Sequence, residues 1–249
     1  MDKRAQVTIF IIIGIVIIVG VLAILYFLGE YKTDVTTIED PTQFIENCVE
    51  DAVMDSLKVT MVNGGQITMT QSIKHYGETY NYLCYSGDFF RPCYNMHPML
   101  QYLIESEIKK DTIDEVQTCF NLMRESFENR DFKVTGEAAI YSIDLLPGVI
   151  RINLDKKINL EKGASLQSFE DFDSEFLSPA YGLVQVVNDI VNDEVIDCKF
   201  DNYDYMRLNP EYHIEKINFE DNRFYIVTER KTGESFKFVV RNCVLPAGL

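Results

Sequence analysis

The pattern of hydrophobic and polar positions sets one stretch apart at the start of the chain. From Val7 to Leu28, 22 residues pass without a charge, and Thr8 and Tyr26 carry the hydroxyl groups of the stretch. A helix needs about 20 apolar residues to cross a bilayer core, and a soluble helix would keep a polar stripe that this stretch lacks. It also exceeds the apolar part of a cleavable secretory signal, about 7–15 residues. The pattern therefore predicts a transmembrane helix over 7–28, which would bind the protein to the lipid bilayer.

A first helix of the remaining chain is predicted to begin at Pro41. Asp40 can cap this helix, and Gln43 can reach back to the cap. Apolar residues then recur at helical spacing until Asn63 and the two glycines that follow it, which are typical of a turn. The polar residues 29–40 before the helix have the composition of a linker.

The rest of the chain alternates between helical and strand periodicity. Spacing of apolar residues predicts the following helices: Pro98–Lys110, Asp111–Asn129, a segment through Phe169, Phe172 and Phe176, and Tyr181–Ile196. The following strands are predicted: Gln66–Met69, Phe132–Leu145, Ile150–Leu160 with a break near Asp155, Tyr212–Phe219, Arg223–Arg230 and Glu234–Asn242. This order indicates an α+β domain over 41–249 whose helices pack on antiparallel sheet, with a subdivision near residue 130 as an option.

The distribution of charged residues indicates which partners the protein can bind and how it is oriented in the membrane. The formal net charge is −16, and because charges within residues 1–34 cancel, the predicted domain carries all of it. Such a domain repels phosphate backbones, so we expect no nucleic acid among its partners.

Lys3 and Arg4 precede the apolar stretch and only Lys32 follows it closely. The positive-inside tendency places residues 1–6 in the cytoplasm and the domain outside the membrane.

Six cysteines are an even count that suits an exported, oxidised domain. Six cysteines allow fifteen pairings in general, and buried free thiols are the alternative. A disulfide between Cys84 and Cys93 would close a short loop. Cys48 and Cys119 would join the apolar faces of two helices, or remain there as packed thiols. A disulfide between Cys198 and Cys243 would tie the end of the C-terminal sheet.

The short cysteine loop lies in a segment, 76–94, that is dense in tyrosine and phenylalanine. Aromatic side chains on a disulfide-closed loop would form a contact surface; the alternative is a loop folded onto the core. The candidate contact residues are Tyr80, Tyr82, Tyr85, Phe89, Phe90 and Tyr94.

Cys93 and His97 have a spacing that soft metals accept, but His97 before Pro98 is more simply the start of a helix. We therefore expect no metal and no cofactor.

The first ten residues, Met-Asp-Lys-Arg-Ala-Gln-Val-Thr-Ile-Phe, carry a family resemblance. A short cationic segment, a small residue, glutamine and an unbroken apolar stretch resemble the class III signal of archaeal type IV pilin-like proteins. The resemblance implies cleavage between Ala5 and Gln6 by a prepilin-peptidase-like enzyme. The opening Gln-Val-Thr-Ile-Phe also resembles uncharacterised archaeal single-pass membrane-anchored proteins. Phe10 stands where pilins usually carry glutamate, and an uncleaved signal anchor is the alternative.

Local catalytic motifs do not occur in this sequence. It contains no G-x-S-x-G, H-E-x-x-H, Walker or G-x-G-x-x-G pattern. The sequence favours a single-pass, membrane-anchored cell-surface protein that acts by binding a protein partner or by self-assembly, including the pilin-like case. One alternative is an anchored hydrolase-like envelope enzyme whose site includes His97 or His213. Another is a cytoplasmic structural domain, for which six free thiols would be expected.

Overall fold

A computed structural model describes residues 17, 40–136, 140–170 and 172–246. The chain divides into two compact units, Met1–Glu39 and Asp40–Leu249. The predicted transmembrane helix, apart from residue 17, lies outside the described residues, as do Ala5 and Gln6. Within the described ranges, no helix combines the length and the apolar character needed to cross a membrane.

The second unit has four helices in its described part. Their bounds are α1 Pro41–Val62, α2 Leu100–Glu128, α3 Ala180–Asp197 and α4 Asn202–Leu208. Asp40 caps α1 as predicted, because its carboxylate accepts the main-chain N–H of Thr42 at 2.9 Å and that of Gln43 at 3.4 Å. The predicted end of α1 is also confirmed, since Asn63 is its C-cap.

Helix α2 corrects the prediction of two helices at Pro98–Lys110 and Asp111–Asn129. It is continuous because its buried stripe never loses register: Ile104, Ile108, Thr112 and Val116 follow one another at intervals of four. The hydroxyl of Thr112 donates to the Ile108 carbonyl at 2.8 Å. A threonine that returns its polar group to the helix can occupy an apolar stripe, and no proline or glycine interrupts the segment.

Within the described residues, twelve strands form three sheets. The first has the order β1-β2-β12-β11-β10 with β3 paired to β2, the second β4-β7-β8 and the third β5-β6-β9. The pairings are antiparallel except that β12 runs parallel to β2. The bounds are β1 Ser72–His75, β2 Glu78–Tyr85, β3 Tyr94–Asn95, β4 Lys133–Gly136, β5 Ile140–Leu146, β6 Val149–Asp155, β7 Ile158–Lys162, β8 Ser165–Phe169, β9 Ser174–Leu177, β10 Tyr212–Phe219, β11 Asn222–Glu229 and β12 Ser235–Arg241.

Three predicted segments differ from the structure. Phe132–Leu145, predicted as one strand, contains β4 and β5, which belong to different sheets because β4 pairs with β7 and β5 pairs with β6. Gln66–Met69 is a loop, held by side chains: the Gln66 amide oxygen accepts from Asn81 at 2.9 Å, and Ile67 N–H donates to Glu107 at 3.0 Å. The segment through Phe169, Phe172 and Phe176 is not a helix but contains β8 and β9. Sheet pairing overrides the near-helical spacing there, since Phe169 lies opposite Ile158 and Phe176 opposite Ile150.

The core lies between helices and sheets, as the α+β prediction requires. Helices α1 and α3 pack against the six-stranded sheet, whereas α2 packs on α1 and on β4 and β5. Aromatic side chains dominate the sheet side of the core, with Tyr225 stacked on Phe238 at a ring distance of 5.1 Å. The mixed α+β class and the predominantly antiparallel sheets are therefore confirmed.

Candidate functional site

The candidate site is the aromatic loop, residues 84–94, at the end of β2. A disulfide joins Cys84 to Cys93 across it, with Cα atoms 5.4 Å apart. Beyond the loop the chain returns as β3 and pairs with the end of β2, placing Tyr94 opposite Tyr85. The other two predicted pairs, Cys48–Cys119 and Cys198–Cys243, are also disulfides in the structure. No free cysteine occurs within the described ranges.

The six candidate contact residues divide into two groups. Tyr80 and Tyr82 are only 4% and 7% exposed, because β2 lies inside the sheet between β1 and β12. They belong to the core and correct the prediction that they contribute to a contact surface. Three others are exposed, and Tyr85 is half-buried. The exposed fractions are 52% for Phe89, 60% for Phe90 and 77% for Tyr94.

The aromatic loop runs alongside the chain that follows β12. Phe89 forms a parallel bridge with Val244, and Leu245 next to it is 58% exposed, so it extends the apolar surface that Phe89 and Phe90 begin. Three main-chain hydrogen bonds fix this arrangement: Ser86 N–H to Arg241 C=O at 2.9 Å, Phe90 N–H to Val244 C=O at 2.9 Å, and Cys243 N–H to Arg91 C=O at 3.1 Å.

A buried polar network anchors the base of the loop. The Glu194 carboxylate on α3 is fully buried and accepts from the Arg223 guanidinium, the Tyr225 hydroxyl and the Asn242 amide. Asn242 in turn accepts the main-chain N–H of Cys93 at 2.7 Å. One carboxylate thus connects α3, β11 and the residue that follows β12, and through Asn242 it reaches the disulfide that closes the loop.

The electrostatics of this network keep its tyrosine neutral. Burial, with the adjacent Glu194 carboxylate, raises the pKa of Tyr225 well above its usual value. The hydroxyl therefore remains a donor to Glu194. Burial lowers the pKa of the nearby Lys216 ammonium, which donates to the Phe200 carbonyl at 2.7 Å. The network has the properties of a structural support, because its central carboxylate is inaccessible to a ligand.

Sequence reasoning missed Glu194, Asn242 and Leu245. A signal for Glu194 existed, because Leu183, Val187 and Ile190 form the buried stripe of α3 and Glu194 occupies its next position. A charged residue there requires buried partners. Asn242 and Leu245 carry no such local signal, since their roles follow from the parallel course of the loop and the chain after β12.

The histidines considered for catalysis or metal binding are not gathered into a site. Cys93 is bonded to Cys84 and is not available beside His97, whose pKa burial lowers. His213 is partly exposed and lies 3.6 Å from Glu215 on the same strand. Three cavities of about 590, 390 and 280 Å³ have no histidine among their lining residues. In the described part of the chain, no cluster of three or more histidine, cysteine or acidic side chains is arranged to hold a metal.

What the aromatic loop offers chemically is a contact surface. Its exposed rings can bury a large area at low conformational cost, because the main chain beneath them is already fixed. Comparison of the chain with protein-family models, curated proteins and solved structures gave no match in any of the three.

Proposed function

We propose that this chain is a membrane-anchored cell-surface protein whose exported domain binds a protein partner through the aromatic loop. The observation that carries the proposal is the combination of three exposed rings, on Phe89, Phe90 and Tyr94, with a disulfide-closed backbone. Interfaces take most of their binding energy from a few aromatic and arginine anchors. Anchors on a fixed backbone lose little entropy when a partner docks.

The paired cysteines support the exported location. All six form disulfides, and structural disulfides persist in oxidising compartments but are rare in the cytosol. The apolar stretch 7–28 supplies the anchor in this proposal, and Lys3 and Arg4 keep the N-terminus in the cytoplasm. The net charge of −16 opposes nucleic acids as partners.

A self-assembling, pilin-like form of this function is supported by the residues around Ala5 and Gln6. Mass spectrometry of the mature N-terminus separates this form from a simple anchor. A chain that begins at Gln6 is expected for the pilin-like form, with the apolar helix retained. A chain that keeps Met1 favours the uncleaved signal anchor and removes the support for the pilin-like form.

The binding function is tested by chemical cross-linking in native membranes. The test variant is Phe89→Ser/Phe90→Ser, which removes two exposed rings and leaves the main-chain bonds of the loop in place. The matched control is Tyr203→Ser/Leu208→Ser, which removes two exposed apolar side chains from α4. Circular dichroism and thermal unfolding first establish that both variants fold like the wild type.

We expect a discrete cross-linked species from the wild type and the control, and its loss from the loop variant. Mass spectrometry of the species then shows whether the partner is a second copy of the chain or a different protein. An identical cross-linking pattern in all three proteins would contradict binding through the aromatic loop.

A further inference from the structure

A second surface with binding chemistry lies between α2 and β5. A groove of about 590 Å³ runs along one stripe of α2 and the middle of β5, and its volume falls within the range of ligand sites, about 300–1,000 Å³. The lining side chains on the helix are Tyr102, Glu105, Ser106, Lys109, Lys110 and Ile113. On the sheet side the groove is lined by residues 142–144.

The sheet side of the groove is an edge. Strand β5 pairs with β6 on one side, and in the described part of the chain the order β5-β6-β9 leaves its other side without a strand. Next to the groove, α2 closes this edge at Leu145: the N–H of Leu145 donates to Glu105 at 2.9 Å, and its carbonyl accepts from Gln101 at 3.0 Å. The main chain of Leu145 therefore points away from β6.

The opposite end of the ladder has the same geometry. Leu154 lies opposite Tyr141, and its N–H and C=O bond Asp173 and Phe172 on the β9 side, at 3.1 and 2.9 Å. Antiparallel ladders alternate between hydrogen-bonded and non-hydrogen-bonded pairs. Ile143 is two residues from both Tyr141 and Leu145, so its N–H and C=O also point away from β6, toward the groove that Ile143 lines.

Unlike Leu145, Ile143 has no described partner for its main-chain N–H and C=O. No described side chain or main-chain atom outside the ladder bonds its N–H or C=O. A strand edge that faces a groove in this way can accept the main chain of an extended peptide, a recognition mode in which the peptide becomes an additional strand. The helix stripe from Tyr102 to Ile113 is about 16 Å long at helical rise. That length matches about five residues of extended chain.

The charges of the groove specify the peptide further. Lys109 and Lys110 are exposed and form no ion pair with any described residue. Glu105 already accepts from Gln101 and Leu145. Asp144 accepts a hydrogen bond from the Asn153 amide at 2.9 Å. Because side chains alternate along a strand, this bond lies on the sheet face opposite the Ile143 side chain. The two free ammonium groups thus favour a ligand that carries carboxylates.

We propose that the groove between α2 and β5 binds an extended acidic segment of a partner protein as an added strand beside Ile143. The main chain of Ile143 supplies the pairing, and Lys109 and Lys110 contact acidic side chains of the segment. This proposal rests on different residues from the aromatic loop and does not depend on it.

The probe is a set of synthetic fluorescent peptides of about eight residues, in which β-branched residues alternate with glutamate. Binding to the isolated wild-type protein is measured by fluorescence anisotropy. The test variant is Lys109→Glu/Lys110→Glu, and the control is Lys74→Glu/Lys231→Glu, which makes the same change of charge outside the groove. A second set carries N-methyl groups on alternate amides, which removes half of the peptide's main-chain donors.

We expect at least one glutamate peptide to bind wild type and control alike, and the groove variant roughly tenfold more weakly. N-methylation in one of the two alternating registers should abolish binding, whereas the other register should retain it. Hydrogen exchange at the Ile143 amide should slow in the complex. The proposal is overturned if no peptide of the set binds, if the groove and control variants bind equally, or if N-methylation has the same effect in both registers.

Discussion

The aromatic loop and the edge of β5 are held in place in different ways. Around the loop, two disulfides, a buried carboxylate and three main-chain bonds hold the polypeptide in place. The segment 133–177, which includes β5, contains no cysteine, and its edge beside the groove is closed at Leu145 by side chains of α2. The loop therefore exposes side chains on a fixed backbone, whereas the β5 edge offers main-chain hydrogen-bonding groups.

This difference assigns a distinct energetic role to each region. Covalent cross-links remove conformations from the unfolded chain, so their loss should lower the free energy of unfolding strongly. Hydrogen bonds and exposed ion pairs at the β5 sheet each contribute much less. Four changes test this contrast, and their expected effects on stability decrease from the disulfide to the exposed ion pair.

Removal of the disulfide between Cys198 and Cys243 should have a larger effect than substitution of Glu194 or any change in the β5 sheet. The two cysteines are 45 residues apart in sequence, and closing a loop of this length stabilises a protein by about 4 kcal/mol in the chain-entropy account. We expect Cys198→Ala/Cys243→Ala to lower the free energy of unfolding by about that amount, measured by urea denaturation. A loss below about 1 kcal/mol would contradict the view that covalent bonds dominate this region.

Substitution of Glu194 should rank second. Glu194→Ala leaves the Arg223 guanidinium, the Tyr225 hydroxyl and the Asn242 amide without their shared acceptor. Breaking a buried ion pair by removing one partner costs about 3 kcal/mol. Asp197→Ala on the same helix removes an exposed carboxylate and serves as the control, with a change within about 0.5 kcal/mol. Equal urea midpoints for the two variants would rule out an anchoring role for Glu194.

The closure of the β5 edge should contribute less. Glu105→Ala removes the acceptor of the Leu145 N–H, and we expect a loss of about 1.5 kcal/mol because the lost bond involves a charged group. Glu115→Ala, an exposed position on the same helix, provides the control. Hydrogen exchange at the Leu145 amide should accelerate in the first variant alone; unchanged exchange would show that Glu105 does not close the edge.

The smallest effect is expected from the ion pair across β6 and β9. Arg151 and Glu175 lie 2.5 Å apart, and both side chains are about half exposed. Exposed pairs of this kind contribute roughly 0.5 kcal/mol, and salt screens them. Arg151→Gln should therefore shift the urea midpoint only slightly, and less at high salt. A loss comparable to that of a disulfide would reverse the contrast between the two regions.

Local signals predicted a large part of this fold. The cap at Asp40, the break near Asp155 and the three C-terminal strands depend on neighbours in sequence, so capping, alternation and turn residues were enough to place them. The pairing of Cys84 with Cys93 was accessible for the same reason, since nine positions separate them.

The features that sequence reasoning missed depend on distant partners. Spacing cannot show that Phe169 and Phe176 are held by sheet pairing, or that β12 runs parallel to β2. Tyr80 and Tyr82 resemble surface anchors until β2 is known to have a strand on each side. The candidate site was thus only partly predictable: the loop and its exposed rings follow from the sequence, but the anchor at Glu194 and Asn242 requires the tertiary structure.

The central claim, an exported and oxidised domain, is tested most directly by counting free thiols in the protein as the cell makes it. Cells are quenched with acid, denatured and treated with a maleimide reagent of known mass, with and without prior reduction. We predict no added mass without reduction and six added groups after it, one for each cysteine. Six groups added without reduction would contradict export to an oxidising compartment and, with it, the proposed function.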